Sequence, residues 1–240
     1  MTDGRVPLAD AFASAVSKQR YVRRLFSTIA DRYDLITVLL SFGLDRRWKR
    51  RAVELAAPRQ GQRALDLACG TGDLAVALAS VGASVVGLDV THRMLQLARA
   101  KPAARRVGFV VGDMTDLPFA TGRFDLATTG YGLRNVPQIE TAIREIYRVL
   151  RPGGVLVSLD FNRPSNAAVR AVYLGYLSVV GSVLGWVLHR DPDTYRYIPE
   201  SIRRYPGAVR VAALMKAEGF AQANWRPVLG GLMAIHVCRK

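Results

Sequence analysis

The sequence has 240 residues, half of them hydrophobic and 22% charged, a balance that supports a sizeable core and excludes an intrinsically disordered chain. Two cysteines, Cys69 and Cys238, without CxxC spacing, and three dispersed histidines, His92, His189 and His236, argue against a disulfide scaffold and a metal centre. The net charge is +15, with 29 arginines and 5 lysines against 19 acidic residues, distributed as +6 in residues 1–60, +3 in 61–165 and +6 in 166–240. An excess in both flanks suits an anionic membrane surface or an acidic substrate. Aromatic and basic residues do not interleave as in RNA-binding strands, so no nucleic-acid partner is expected. Residues 1–16 are mixed and contain Asp3 and Asp10, which does not read as a signal peptide, and a cytoplasmic location follows as the expectation.

Along the chain, residues 21–33 carry Val22, Leu25, Phe26, Ile29 and Ala30 at helical spacing. Residues 35–42 are apolar. Residues 46–51 hold five basic side chains in six positions, a solvated helix face or a contact for lipid phosphate. From residue 62 the pattern alternates: strands at 64–68, 84–88, 107–111, 124–129 and 155–161, with helices at 74–81, 93–100 and 138–150 between them. Such alternation predicts a parallel α/β sheet. A helix at 209–217 and a closing antiparallel hairpin, 221–228 and 232–238 around Gly230 and Gly231, complete seven strands. The whole chain reads as a single domain: a helical cap (1–60), a ligand-binding core (61–161), a helical lid (162–205) and a closing segment (206–240). Within the lid, residues 171–188 are eighteen positions without a charge, near the lower limit for a membrane span. Gly175, Gly181, Gly185 and four polar residues there, and the strands that must still follow, favour a buried helix or hairpin, or an apolar cover touching a bilayer surface.

The strongest chemical signal is Asp66-Leu67-Ala68-Cys69-Gly70-Thr71-Gly72, where a strand runs into a glycine loop and a helix. Glycines let a ligand approach the backbone. Asp89, ending the second strand, can accept both hydroxyls of a ribose. Asp66 can meet an ammonium group, directly or through water. Asp113 and Met114, after the third strand, offer an acceptor for an exocyclic amine and an apolar contact for a purine. A ligand with an adenosine and an amino-acid end fits all three, which is S-adenosylmethionine.

With Val149-Leu150-Arg151-Pro152-Gly153-Gly154, these motifs resemble the seven-stranded, Rossmann-like S-adenosylmethionine-dependent methyltransferases. Four further stretches are closer: residues 26–34, residues 40–49, Tyr131-Gly132-Leu133-Arg134-Asn135-Val136, and residues 191–202 with Tyr195-Arg196-Tyr197. They resemble the ubiquinone/menaquinone biosynthesis C-methyltransferases over roughly residues 17–239. The resemblance implies methylation of a polyprenylated quinol ring carbon, turning demethylmenaquinol into menaquinol or adding the corresponding methyl to a ubiquinol precursor, with the first as the leading expectation. It assigns Thr71, Asp89, Asp113 and Met114 to the cofactor, with Gly70 and Gly72 in the loop. Gly130 stands where the family usually has serine, so a hydroxyl contact is lost. Tyr195, Arg196 and Tyr197 are expected at the substrate.

A sulfonium methyl is already activated, so alignment with an electron-rich ring carbon is the main requirement. Arg134 is the candidate for holding the quinol oxyanion, with Asn135 orienting the ring or a water. Tyr33 is a candidate for ring binding or proton transfer, and Asp160, ending the fifth strand, for a base facing the pocket. Two alternatives stay open: another small-molecule or lipid methyltransferase, and a noncatalytic methyltransferase-like assembly subunit. Naphthoquinol versus benzoquinol, tail length and oligomeric state, a homodimer included, are not readable from the sequence.

Overall fold

A computed structural model describes residue 8 and residues 10–240; the remainder of the expected cap lies outside the described residues. The periodicity becomes a seven-stranded sheet. Its parallel strands are β1 (Arg63–Leu67), β2 (Ser84–Asp89), β3 (Val107–Val111), β4 (Phe124–Gly130) and β5 (Leu150–Phe161). The hairpin β6 (Gln222–Val228) and β7 (Met233–Arg239) joins antiparallel through β7, giving the order β3-β2-β1-β4-β5-β7-β6. The order reverses between β1 and β4, where open α/β sheets leave a crevice beyond the strands' carboxyl ends.

Alternation along the strands feeds two cores. Leu65 and Leu67 of β1 face one side, packing with Ile143 and Ile146 of α6 (Ile139–Val149) and with Val211 and Met215 of α9 (Ala208–Ala217). Ala64, one position out of phase, faces the other. There it meets Ala52 and Ala56 of α3 (Asp45–Ala56) and Leu78 of α4 (Asp73–Ser80). The basic run at 46–51 thus belongs to α3, whose small apolar residues bury while Arg46, Arg47, Arg50 and Arg51 remain exposed.

Two boundaries differ clearly from the sequence reading. The first helix, α1 (Ala15–Ile29), starts six residues before residue 21, capped by Ser14, whose hydroxyl accepts the Ser17 amide at 3.0 Å. A single 3-10 turn links it to α2 (Tyr33–Ser41). Strand β5 starts at Leu150 instead of 155: Phe124 pairs with Leu150 and Leu126 with Val155, so the Arg151–Gly154 stretch bulges out without ending the strand.

The uncharged stretch forms neither a hairpin nor a wholly buried helix. It lies in one 23-residue helix, α7 (Ala167–His189), capped by Asn166, whose side chain accepts the amides of Ala168 and Val169. Over its most apolar 18-residue window the mean hydropathy is 1.8, and 28% of that window is buried. Tyr173, Leu174 and Leu177 pack inward. Gly181 and Gly185 let the returning loop lie against the helix: a Cβ at 181 would sit 3.2 Å from that of Tyr195, and one at 185 would be 3.2 Å from Pro192 Cα. The chain then turns through α8 (Tyr197–Arg204) toward α9.

Candidate active site

Two adjoining cavities open at the crevice. The smaller, about 80 Å³, is built from the carboxyl ends of β1, β2 and β4 and covered by α1. Ala68, Gly70, Asp89, Asp113, Met114 and Gly130 line it from the sheet side. Asp89, buried at the end of β2, accepts the Gly70 amide and the Thr91 amide, both at 2.8 Å. Its carboxylate therefore holds the glycine loop in place while bordering the cavity. Burial raises its pKa.

Asp113 accepts the Thr115 amide and hydroxyl, and its second oxygen accepts the Gln19 side-chain amide from α1. That NH2 group occupies the acceptor which an exocyclic amine would use, so an incoming amine must share or displace it. Gln19, Val22 and Phe26 line this cavity, a contribution the helical spacing of α1 did not assign. Asn135 also lines it. Its amide nitrogen donates to the Tyr131 carbonyl at 2.7 Å, and its buried Oδ1 has no hydrogen-bond partner. An unpartnered buried acceptor carries a desolvation cost until a donor meets it.

A side pocket continues past Thr71, Gly130 and Asp66 to Lys49. Asp66 is buried, accepting the Thr128 hydroxyl at 2.7 Å and the Ala75 amide at 3.0 Å. Burial raises its pKa to about 7 despite those bonds. A neighbouring ammonium would restore the ionised form. Thr71 donates to Asp34 at 2.5 Å, which ties the loop to α2. Gly72 lines none of these spaces: its left-handed φ of 86° opens α4, and a Cβ there would meet Ala98 at 3.4 Å and Phe109 at 3.5 Å. Its contribution is to the turn.

The larger cavity, about 310 Å³, lies between α1, α2, α7 and the loop after Thr194. Its walls are mostly apolar, with Leu25, Ile29, Ile36, Leu40, Trp48 and Leu177 among them. Phe26, Tyr33 and Tyr131 line both this cavity and the smaller one, forming the partition between them. Burial raises the Tyr33 hydroxyl pKa, while Lys49 and Arg134 pull against that rise. Tyr195 and Tyr197 also line the cavity, both nearly fully buried. The Tyr195 hydroxyl is bonded to His189 Nε2 at 2.8 Å, and the Tyr197 hydroxyl has no hydrogen-bond partner.

Arg134 lines the large cavity at its inner end. Its Nη1 donates to Asp160 at 2.8 Å and to the Tyr131 carbonyl at 2.9 Å, its guanidinium lies 4.6 Å from the Phe161 ring centre, and its buried Nε has no partner. Lys18 of α1 clasps the same turn, donating to the carbonyls of Arg134 and Val136. Burial first, and Arg134 second, lower the Lys18 pKa to about 8.

Two expectations are corrected here. Asp160 does not face the cavity as a base. It lies behind Arg134 and accepts Arg134 Nη1, the Arg134 backbone amide and the Phe161 amide, so it serves as the buried counter-ion of the guanidinium. A strand's alternation cannot tell a carboxylate facing a cavity from one tucked beneath a neighbour. Arg196 does not reach the cavity either. It sits exposed at the start of α8, paired with Asp193 at 2.8 Å, while Tyr195 and Tyr197 on either side turn inward.

The fold and the paired cavities define a class: the S-adenosylmethionine-dependent methyltransferases. Solved structures with that description overlie most of the chain. One from Thermotoga maritima covers 90% of this chain and 99% of its own at 20% identity, with a TM-score of 0.64. Another, from Methanococcus maripaludis, covers 100% and 97% at 17% identity, with a TM-score of 0.62. Within the class, residues 14–240 match the ubiE/COQ5 methyltransferase family, and the chain belongs to it. A demethylmenaquinone methyltransferase of Thermus thermophilus is 46% identical over 217 residues, 89% of this chain and 98% of the relative. A ubiquinone/menaquinone biosynthesis C-methyltransferase of Azotobacter vinelandii is 40% identical over 226 residues, 91% and 89% respectively.

S-adenosylmethionine is the cofactor of this family's fold, and the residues of the small cavity suit it: the Asp89 and Asp113 carboxylates and Met114 line it, and the buried Asn135 Oδ1 is an acceptor left without a partner.

Proposed function

We propose that this protein methylates a ring carbon of a polyprenylated quinol, converting demethylmenaquinol to menaquinol. The observation that carries this reading is the large apolar cavity sharing a three-residue partition with the cofactor cavity. An aromatic ring seated against Tyr33 and Tyr131 lies next to the methyl donor, and an isoprenoid tail matches the apolar walls.

Bound S-adenosylmethionine supplies an electrophilic methyl group. The protein supplies position and charge. Asp89 and the glycine loop would hold the adenosine end, Asp113, Met114 and Gly130 would line its surroundings, and Asp66 and Thr71 would border the amino-acid end. Arg134, held rigid by Asp160, directs its free Nε–H and its charge at a ring oxygen, where negative charge grows as the carbon attacks. Its pairing with Asp160 tempers that charge but removes the freedom to reorient. Tyr33 and Tyr197 pack against the ring, and water is kept out by the apolar wall.

The same reading places the protein at the cytoplasmic face of a membrane. Outside the cavity α7 presents Val172, Val179, Val183, Trp186 and Val187, 56–74% exposed, and α2 adds Leu35, Leu39 and Phe42 beside them. Phe42 stacks with Tyr176 at 6.2 Å where both line the cavity. An apolar face of this breadth marks a docking surface. Its basic surroundings, Arg32 and Arg190 at the end of α7 and Arg46 and Arg50 in a groove with Val38, match anionic headgroups. A bilayer delivers a tailed quinol directly to such a mouth. Although α7 is long enough to span, Tyr195 returns from its end to pack with Ile29 and Ile36, which keeps both ends of the helix on one side. Residues 162–205 then act as the cover of the ring site.

Incubating the purified protein with labelled S-adenosylmethionine and chemically reduced demethylmenaquinone tests the function. Mass spectrometry should find a product heavier by one methylene; a ubiquinol precursor methylated in preference would move the assignment to the benzoquinol branch, and no transfer to either would refute it.

A further inference from the structure

Quinol methylation releases one proton per turnover. The ring carbon's electron pair forms the C–C bond as the C–S bond breaks with its pair remaining on sulfur. The quinol O–H pair becomes a C=O. Rearomatisation then removes the ring C–H proton and restores the hydroxyl, so one proton must leave the cavity. Yet no aspartate, glutamate or histidine lines the large cavity among the described residues. Only hydroxyls can carry the proton out.

Resting on the quinol-methylation reading, we propose that Tyr131 and Asp45 form the proton path from the ring cavity to solvent. Tyr131 lines both cavities, so it adjoins the reacting centre. Its hydroxyl donates to Asp45 Oδ1 at 2.6 Å, the one cavity tyrosine bonded to a carboxylate among the described residues. Asp45 is itself buried at the first turn of α3, and on its other side it borders an outer groove of about 490 Å³ flanked by exposed Arg46 and Arg50. The wall between the ring cavity and the outer groove is therefore bridged by one hydroxyl and one carboxylate.

The groups facing this pair come from several elements. Lys49 of α3 lies 2.7 Å from Asp45 and 2.9 Å from Asp73 of α4, and Asp73 continues to Lys101 at 3.0 Å, which also holds Asp34 of α2. Tyr33 of α2 faces Tyr131 from the cavity side, Arg134 donates to the Tyr131 carbonyl, and Asp160 of β5 acts on Tyr131 from behind Arg134. Burial and Asp45 push the Tyr131 hydroxyl pKa well above its usual value, so Tyr131 stays neutral: it takes the quinol proton as its own passes to Asp45. Lys49 is the counter-ion of the carboxylate. Tyr195 with His189 is the competing route, but Tyr195 lines only the large cavity and lies away from the partition.

Asp45→Asn keeps an oxygen that accepts from Tyr131 but cannot take a proton. With reduced demethylmenaquinone at pH 7, kcat should fall about a hundredfold, in the range general-base removal gives. KM for the quinol and Kd for S-adenosylmethionine should change less than threefold. The deficit should shrink as pH approaches the quinol's own ionisation, roughly pH 10 for a phenol, because a pre-ionised substrate needs no acceptor. Tyr131→Phe should give the same pH profile, and His189→Gln should keep the wild-type one. A loss independent of pH, a loss confined to KM or Kd, a kcat within threefold of wild type, or a deficit that appears in His189→Gln instead overturns the path. Those outcomes leave the function standing, since wild type still turns over; a wild-type protein inert on the quinol overturns both.

Discussion

Arg134 and Asp160 make the sharpest separation between folding and chemistry in this site. Their side chains are 5% and 2% exposed and meet at 2.8 Å. Replacing Arg134 by Ala leaves the Asp160 charge buried with two backbone amides for company, and an uncompensated buried charge of that kind costs about 3–5 kcal/mol. For a domain of this size each kcal/mol moves Tm by roughly 2–4 °C. Arg134→Ala alone should therefore melt about 6–20 °C below wild type, and any loss of turnover in it confounds stability with catalysis. The double variant Arg134→Leu/Asp160→Asn removes both charges, and the asparagine oxygen still accepts a backbone amide. With no unpaired charge left buried, the double variant should recover most of the melting temperature. Its turnover should nevertheless stay about two to three orders of magnitude below wild type, because the donor at the ring oxygen is gone. Urea unfolding followed by tryptophan fluorescence gives the stability arm, and methyl transfer at saturating S-adenosylmethionine the activity arm. A double variant as unstable as Arg134→Ala would refute the ion-pair argument, and one with wild-type turnover would refute the role of the guanidinium.

Two further expectations concern the cofactor end and the outer face. Asp66 has a folded pKa near 7 against 3.8 unfolded; its contribution to the free protein's stability is therefore full below pH 4 and lost as pH rises through 7. Binding an ammonium reverses this preference, so affinity for S-adenosylmethionine should climb about tenfold per unit up to pH 7 and then level. Calorimetry across that range checks it, and Asp66→Asn should abolish the slope. On α7, Val179→Ser/Trp186→Ser should reduce co-sedimentation with phosphatidylglycerol vesicles several-fold with unchanged solution melting, since both side chains are about two-thirds exposed; binding equal to wild type would show that this face is not the docking surface.

The parallel core was legible because period-2 strands alternated with period-3.6 helices, and β3 falls where its five apolar-rich residues placed it. Legibility failed where geometry depends on distant chain. Arg151–Gly154 reads as a turn, yet the β4 partner continues across it as a bulge. The first turns of α1 carry no apolar stripe of their own; they form because Lys18 and Gln19 find partners on Arg134, Val136 and Asp113. Asp160 and Arg196 were misplaced for one reason: a charged residue's neighbours in sequence do not say which neighbour in space will neutralise it. Tyr131 and Asp45 lie 86 residues apart, and no local pattern links them.

Helix α1 puts Gln19 and Val22 over one cavity, Leu25 and Ile29 over the other, and Phe26 over both. A single rigid element thus roofs donor and acceptor together. Whatever free energy one ligand contributes to holding that roof down, the other no longer has to supply. By thermodynamic reciprocity each must then raise the other's affinity by the same factor. The two substrates are consequently linked through a helix that reacts with neither.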